Sequence, residues 1–393
     1  MSAASDKVAG QGRVRVSVSL LKPGWVVDRD IFSGTQLLLA AGTVITPQLL
    51  IALRQRNIEW LEVRQDSELA LAQPPEPSDA LTALLASSSN LHLAHGIRQA
   101  VPEQQMEQAA TQMEEFFGEV ELGREVNFDE IRRTVLDLMD QFLAHSDLAI
   151  KLLDLDRTDR YTYRHSINVG LLFLLVAKDW FPYGELADVV FGAVLHDLGK
   201  ARVGAVIINK PGPLTDEEWA LMHMHPVWSH DLLQEAGATH DALAVARSHH
   251  ERLDGKGYPD GLRGDQLAQS ARLAAICDVY DALTTKRSYK AKMDFALAID
   301  IIIQGCGSHF DSEVANQFIR RVGRYPVGSF VNLSSGEVAV VVRVNEQAVS
   351  RPVVSRVLDS DGTPRRDGEE LDLVEVLDKH ITGVIPTPGS VRR

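Results

Sequence analysis

Cysteine is nearly missing from this chain: Cys277 and Cys306 are the only two in 393 residues. Two thiols cannot form the set of bridges that holds a small secreted domain together, and a reducing cytoplasm is the compartment such a composition suits. Long apolar runs are lacking too. The longest, Ile167 to Ala177, includes Asn168 and falls short of the roughly 20 residues needed to cross a bilayer, so it reads as a buried helix. Met1 to Gln11 has neither the basic start nor the apolar middle of a secretory signal. Positive charge is scarce: the net charge is -14. That balance gives no footing for a nucleic-acid polymer, but it is unevenly spread. Residues 1–159 carry 14 basic and 24 acidic side chains, residues 160–322 carry 17 and 20, and residues 323–393 carry 9 and 10. The middle segment is therefore close to neutral, and bound divalent cations would make a site there locally positive. A phosphate ligand is not excluded.

What is present suits a multidomain globular protein. Hydrophobic residues make up 45% and charged residues 24%, and the length suits two or three domains. Residues 12–65 read as a small α/β module, with strand character at Arg13–Ser19, Val26–Asp28, Leu37–Ala40 and Ile58–Val63 and a helix opened by Thr46-Pro47. Residues 66–97 hold Pro74-Pro75 and Ser87-Ser88-Ser89 and read as a linker. Residues 98–146 form a helical connector whose second helix carries Ile131, Val135, Leu138, Met139 and Phe142 as an apolar stripe. Such helices either pack against the next domain or serve as a signalling or dimer seam.

From 147 to 323 the pattern is that of an all-α bundle. Helical spacing recurs in Ser166–Lys178, Glu185–Leu195, Asp216–Glu235, Asp241–Ser248, Leu267–Leu283, Phe295–Ile303 and Ser312–Val322. Residues 326–385 then alternate like strands at Ser329–Leu333, Glu337–Val344 and Arg351–Leu358, with Leu371–Leu377 as a further candidate, forming a small β-rich module.

Histidine and aspartate are distributed over the helices of the bundle. His249-His250 closes an alanine-rich run and leads into Glu251-Arg252-Leu253-Asp254-Gly255-Lys256-Gly257-Tyr258-Pro259. Alone, that stretch reads equally as a capped helix with a surface turn or as a metal site. His165, His196-Asp197, His225 and Asp278 supply the same donor types from other helices. Imidazole with carboxylate suits iron, manganese, zinc or cobalt, and the lack of thiolate donors argues against a structural zinc site. Two such ions sharing a carboxylate can activate water and hold both the attacking and leaving oxygens of a phosphodiester. Asp197, beside a candidate ligand histidine, is the obvious shared carboxylate, and Lys200 lies one helical turn from His196, where it could meet a phosphate oxygen.

These residues resemble the HD-GYP family of cyclic di-GMP phosphodiesterases, a branch of the HD metal-dependent phosphohydrolases. His196-Asp197 with Gly199-Lys200 is similar to the first signature, and His249-His250-Glu251 through Gly257-Tyr258-Pro259 to the second. Tyr163–Ser166, His225-Pro226, Asp278–Thr284 and His309–Asp311 follow in the family order. The resemblance covers about residues 147–323 and implies an enzyme that opens cyclic di-GMP to pGpG, with GMP as a further product. It implies two divalent ions, iron or manganese, held by His196, Asp197, His225, His249, His250 and Asp278. His165 resembles the ligand of a third ion, but Tyr161 stands where members with three ions carry glutamate, so His165 is either a ligand or a partner of one. Lys200, Arg287 and Lys290 match phosphate-holding positions, with Ser288 where proline often stands. Tyr258 and its glycines shape the substrate entrance. The resemblance also implies a rival reading, an adaptor that binds the nucleotide or a diguanylate cyclase (GGDEF) partner through this turn with little turnover, and a homodimer is compatible with the connector helices.

The other candidates have plainer readings. Asp281 either caps or pairs structurally or takes part directly. Glu251 and Asp254 orient the turn or a ligand histidine. His223, His230 and His240 read as surface or helix-end residues, His309 as structural, and His92, His95, His145 and His380 have no assigned part.

Overall fold

The computed structural model describes residues 13–17, 26–27, 31–33, 36–39, 43, 45, 49, 53, 60–64, 101–144, 161–210, 212–285, 293–365 and 368–385. Cα proximity divides the chain into two units. One comprises residues 1–97, 295–304 and 322–393; the other comprises 98–294 and 305–321.

The second unit is helical and carries the chemistry. α1 (Glu103–Glu121) and α2 (Phe128–Ala144) form its entry. The apolar stripe expected on α2 is buried, and Phe116 of α1 meets Phe128 of α2 edge to face at 5.2 Å. α3 (Tyr161–Ala177) and α4 (Tyr183–Val194) follow. Phe117 of α1 packs edge-on to Tyr163 of α3 at 5.4 Å, Arg164 pairs with Glu107, and Arg132 of α2 pairs with Asp188 of α4. Of the two expectations for the connector helices, packing onto the bundle is therefore found within this unit.

Two single-turn helices, α5 (Lys200–Val203) and α6 (Ala205–Ile208), come next and were too short for their periodicity to be legible. The helix expected over Asp216–Glu235 is two: α7 (Asp216–Met222) and α8 (His225–Glu235). Pro226 lies in the first turn of α8, where it needs no backbone donor, and having no N–H it cannot bond the Met222 carbonyl four residues back, which interrupts the ladder between the two helices. α7 is started by a capping box in which Thr215 accepts from the N–H of Glu218 and Glu218 accepts from that of Thr215. After α9 (His240–Ser248) and the turn, α10 (Gln269–Thr284) runs through the middle of the unit, buried on nearly every side. Such all-round burial marks a central helix and not a surface one.

The first unit contains α11 (Phe295–Gly305), all but its last residue, and strands from both ends of the chain, while α12 (Ser312–Val322) belongs, but for its last residue, with the bundle. β1 (Arg13–Ser17), β5 (Trp60–Arg64) and β2 (Val26–Val27) form one antiparallel sheet, and β3 (Ile31–Ser33) pairs with β4 (Gln36–Leu39). The helix expected after Thr46-Pro47 lies mostly outside the described residues. The C-terminal strands β6 (Phe330–Leu333), β7 (Val338–Arg343), β8 (Val353–Leu358), β9 (Glu370–Asp372) and β10 (Ile381–Ile385) form a five-stranded antiparallel sheet ordered β10-β6-β7-β8-β9. Val331, Leu333, Ala339, Val341, Val354, Leu373 and Ile381 make its core. Arg324 binds both carboxylate oxygens of Asp300 in α11, at 2.7 and 3.0 Å, and donates to Thr43. No helix among the described residues is long and apolar enough to cross a membrane.

Candidate metal centre

Three of the histidines singled out from sequence are built in the same way. His196 follows α4, His225 follows the last turn of α7, and His249 follows α9. The last carbonyls of a helix have no intrahelical partner. Each imidazole uses one: Nδ1 lies 2.8 Å from the Ala193 carbonyl for His196, 2.6 Å from Met222 for His225 and 3.0 Å from Ala246 for His249. A carbonyl can only accept, so Nδ1 carries a proton in all three, and Nε2 is the nitrogen left to present a lone pair. Three helix C-termini, each the negative end of its dipole, thereby bring Nε2 nitrogens to one place.

Gly199 makes the convergence possible. A Cβ there would fall 2.1 Å from the His225 carbonyl and 2.7 Å from the Ser229 nitrogen, so the turn after Asp197 can lie against the start of α8 only with glycine. The Gly199 N–H donates to Ser229 Oγ at 2.8 Å and fixes that approach.

Asp197 stands in two groups of ligand atoms. Asp197, His225, His249 and His250 each offer an atom within 4.8 Å of the others; so do His165, His196 and Asp197. Asp278 joins them, its carboxylate 3.1 Å from His165 Nε2 and 3.7 Å from His250 Nδ1. Lys200 donates to Asp197 Oδ2. Arg287 and Lys290 lie outside the described residues.

Burial and charge set the protonation of these groups. Burial lowers the pKa of His249 to about 4 and also pushes His225 and His250 down. Burial pushes the Asp197 carboxyl up, but Lys200 and His196 hold it well below the usual carboxylate range. Asp278 is likewise pushed up by burial and held well below that range by the hydrogen bond from His165 and by His250. His165 goes the other way. Burial lowers it, yet Asp278 and Asp281 more than offset this and raise it to about 9.

The residues fit a cation on grounds of their own. His225 Nε2 and His249 Nε2 face one another at 3.2 Å, each a lone pair on an imidazole that burial keeps neutral. Asp197 Oδ1 and His196 Nε2 are buried without a hydrogen-bond partner among the described residues. Buried acceptors pointed at each other with no donor between them repel unless positive charge lies among them. Nitrogen and oxygen supply the donors. Burial pushes the Cys277 thiol well above its usual value, so it stays protonated.

Residues around the candidate ligands fix their positions, and several were not assigned that part from sequence. Asp281 is fully buried and accepts from His165 Nδ1 at 2.7 Å, Asn168 Nδ2 at 2.9 Å and Thr285 Oγ1 at 3.0 Å, which aims His165 Nε2 at Asp278. Its partners are 113 and 116 residues away for Asn168 and His165, a separation at which no local pattern signals contact. Glu251 accepts the N–H groups of Asp260, Gly261 and Leu262 at 2.7–3.1 Å and holds the glycine-rich turn to the end of α9. Asp254 accepts from Arg252 and from the Lys256 N–H. Both carboxylates orient the turn. Tyr258 packs against His250 and His223 against Tyr258, and His309 stacks on Phe310.

Helix-borne imidazoles gathered around a shared aspartate, with a lysine beside it, define a metal-dependent phosphohydrolase site of the HD type. The sequence comparisons agree. An HD domain model matches residues 156–314, and a model described as a KOW domain associated with the HD domain matches 330–386. The chain is 33% identical over 310 residues to cyclic di-GMP phosphodiesterase PA4108 of Pseudomonas aeruginosa, covering 77% of this chain and 74% of that protein. It is 44% identical over 141 residues to a probable cyclic di-GMP phosphodiesterase of Vibrio cholerae, covering 34% of this chain and 32% of that one. It is 32% identical over 161 residues to the 3'3'-cGAMP-specific phosphodiesterase 3 of the same species, covering 40% and 35%. Among solved structures, the HDG"Y"P protein Bd1817 of Bdellovibrio bacteriovorus aligns with a TM-score of 0.43 at 16% identity, over 78% of this chain and 98% of that one. The chain belongs to the HD-GYP phosphodiesterases.

Proposed function

We propose that this chain hydrolyses cyclic di-GMP in the cytoplasm, opening the ring to linear pGpG, with GMP as the product of a second cleavage. The observation that carries the reading is Asp197, one carboxylate common to two groups of ligand atoms. His225, His249 and His250 would hold one ion with it, and His196, with His165 and Asp278 beside it, the other; iron and manganese suit this donor set. A bound pair of divalent cations supplies Lewis acidity toward the phosphodiester and lowers the pKa of water.

The chain's own residues do the rest. The three Nδ1 hydrogen bonds to helix carbonyls keep Nε2 of His196, His225 and His249 directed at the site. Lys200 places its ammonium beside Asp197 on a side chain 24% exposed, where a phosphate oxygen can reach it as charge builds in the transition state. Arg287 and Lys290 complete the phosphate contacts in this reading. Tyr161 stands where members with three ions carry glutamate, so two ions and not three are expected, with His165 as a ligand or as a partner of one. Catalysis belongs to the helical segment at 147–323, and the modules at 12–65 and 326–385 are accessory.

The test is product analysis with manganese or ferrous iron under reducing conditions. Formation of pGpG or GMP supports the reading; an intact substrate sinks it. The likeness to a 3'3'-cGAMP-specific enzyme gives a second substrate a specific footing. Equal turnover of both dinucleotides in competition would show that the substrate class is cyclic dinucleotides in general.

A further inference from the structure

Among the four histidines expected to hold the two ions, His250 is held differently. His196, His225 and His249 are each fixed by a hydrogen bond from Nδ1 to a carbonyl. Nδ1 of His250 instead stands 3.7 Å from Asp278, too far for a hydrogen bond, and its side chain is 25% exposed. What touches it are rings: His249 at 4.2 Å, tilted, His225 at 5.0 Å, edge-on, and one that is not a candidate ligand. Tyr258 lies nearly parallel to His250, with centroids 4.8 Å apart and planes 28° apart. The opposite face of Tyr258 is covered by His223, at 4.0 Å and 23°. His223 is in turn flanked by Trp219, one turn earlier on α7, at 5.4 Å.

We infer that Tyr258 and His223 form a stacked clamp that positions His250, so that the tyrosine of the Gly-Tyr-Pro turn serves the metal-binding face of the site. This rests on the function proposed above and assigns two positioning residues to it. Both faces of the Tyr258 ring are occupied, which leaves none on which a substrate base could stack. The backbone is built for the same end. The Tyr258 N–H meets the His250 carbonyl at 3.3 Å, and a Cβ on Gly257 would fall 2.4 Å from Glu251 Cα and 2.6 Å from the His250 carbonyl oxygen. Only glycine at 257 lets the chain fold back so that residue 258 covers residue 250. The stack does for His250 what the carbonyl does for the other three, holding the ring's orientation when one nitrogen must face a cation.

The experiment measures cobalt(II) binding to the purified full chain by equilibrium dialysis and by its visible absorption bands, in the absence of substrate. Tyr258→Ala and His223→Ala are each expected to weaken one of the bound ions about 10-fold and to change the bands. Tyr258→Phe and His223→Phe keep a ring in place and are expected to bind as the parent does. His223 is exposed and lies on a different element from the turn, so His223→Ala tests the clamp without relying on a fold-sensitive position. Unchanged affinity and spectrum in both alanine variants, with only a raised KM for the dinucleotide, overturns the clamp and returns Tyr258 to the substrate entrance. A parent chain that binds no cobalt sinks the metal reading itself, an outcome distinct from parent-like binding by the variants.

Discussion

At the scale of single residues, the candidate ligands and their supports separate clearly. The histidines of the signature motifs were legible in sequence because imidazole is a ligand type whatever its surroundings. The carbonyls of Ala193, Met222 and Ala246, which decide which nitrogen each ring presents, carry no sequence signal because every residue has a carbonyl. Asp281 was left open between a structural and a direct part, and its three hydrogen bonds put it behind His165. Asp281→Ala removes the carboxylate to which His165, Asn168 and Thr285 all donate. It is expected to cost about 3 kcal/mol in stability and to weaken metal binding 10- to 100-fold. Asp281→Asn, which keeps an acceptor oxygen, is expected to retain most of the stability. Urea unfolding and metal titration check both; parent-like metal affinity in the alanine variant would contradict this placement.

At the scale of elements, periodicity found long helices and missed short or interrupted ones. α12 matches its expected span, and the stripe on α2 is buried as read. The break between α7 and α8 went unread because apolar spacing continues across it while Pro226 restarts the helix. β10 was missed because Thr382-Gly383 dilutes a short apolar run, and the register shifts there. Within the C-terminal sheet, Glu337 offers a prediction of pH dependence. Burial pushes its carboxyl up, but hydrogen bonds from Lys379, Ser335 and Arg356 overcome this and bring it from 4.5 down to about 2. A carboxylate depressed in the folded state stabilises it fully above the unfolded value, and the contribution is lost as pH falls through the folded one. On the order of 3 kcal/mol is therefore expected to disappear between about pH 4.5 and 2. Glu337→Gln should remove that pH dependence from denaturant midpoints measured across this window; an identical profile in the variant would contradict the assignment.

At the scale of the whole molecule, α11 and the C-terminal sheet group with the N-terminal strands, although α11 had read as part of the bundle. Amphipathic spacing shows that a helix has a partner but not which one. Within this unit Arg324 is 3% exposed and bound through its two terminal guanidinium nitrogens to Asp300. Arg324→Ala leaves the half-buried Asp300 carboxylate with only the Thr43 hydroxyl at 3.4 Å among the described residues and is expected to lower the unit's stability by about 2–3 kcal/mol. All the candidate ligands lie in the other unit, so the variant should bind as many ions as the parent. Calorimetry with metal analysis checks both; a variant that keeps the fold and loses its metal would contradict the division. Chelation should act on the other unit, lowering its thermal transition because an ion bound only by the folded chain stabilises it by mass action.

The shared carboxylate is the centre of the account, and the most direct test is metal per chain in anaerobically purified parent and Asp197→Ala proteins, read by elemental analysis. Two equivalents of iron or manganese are expected in the parent. Both sites should be depleted in the variant, since Asp197 belongs to both groups of ligand atoms. A folded Asp197→Ala chain that retains both equivalents would contradict the shared site.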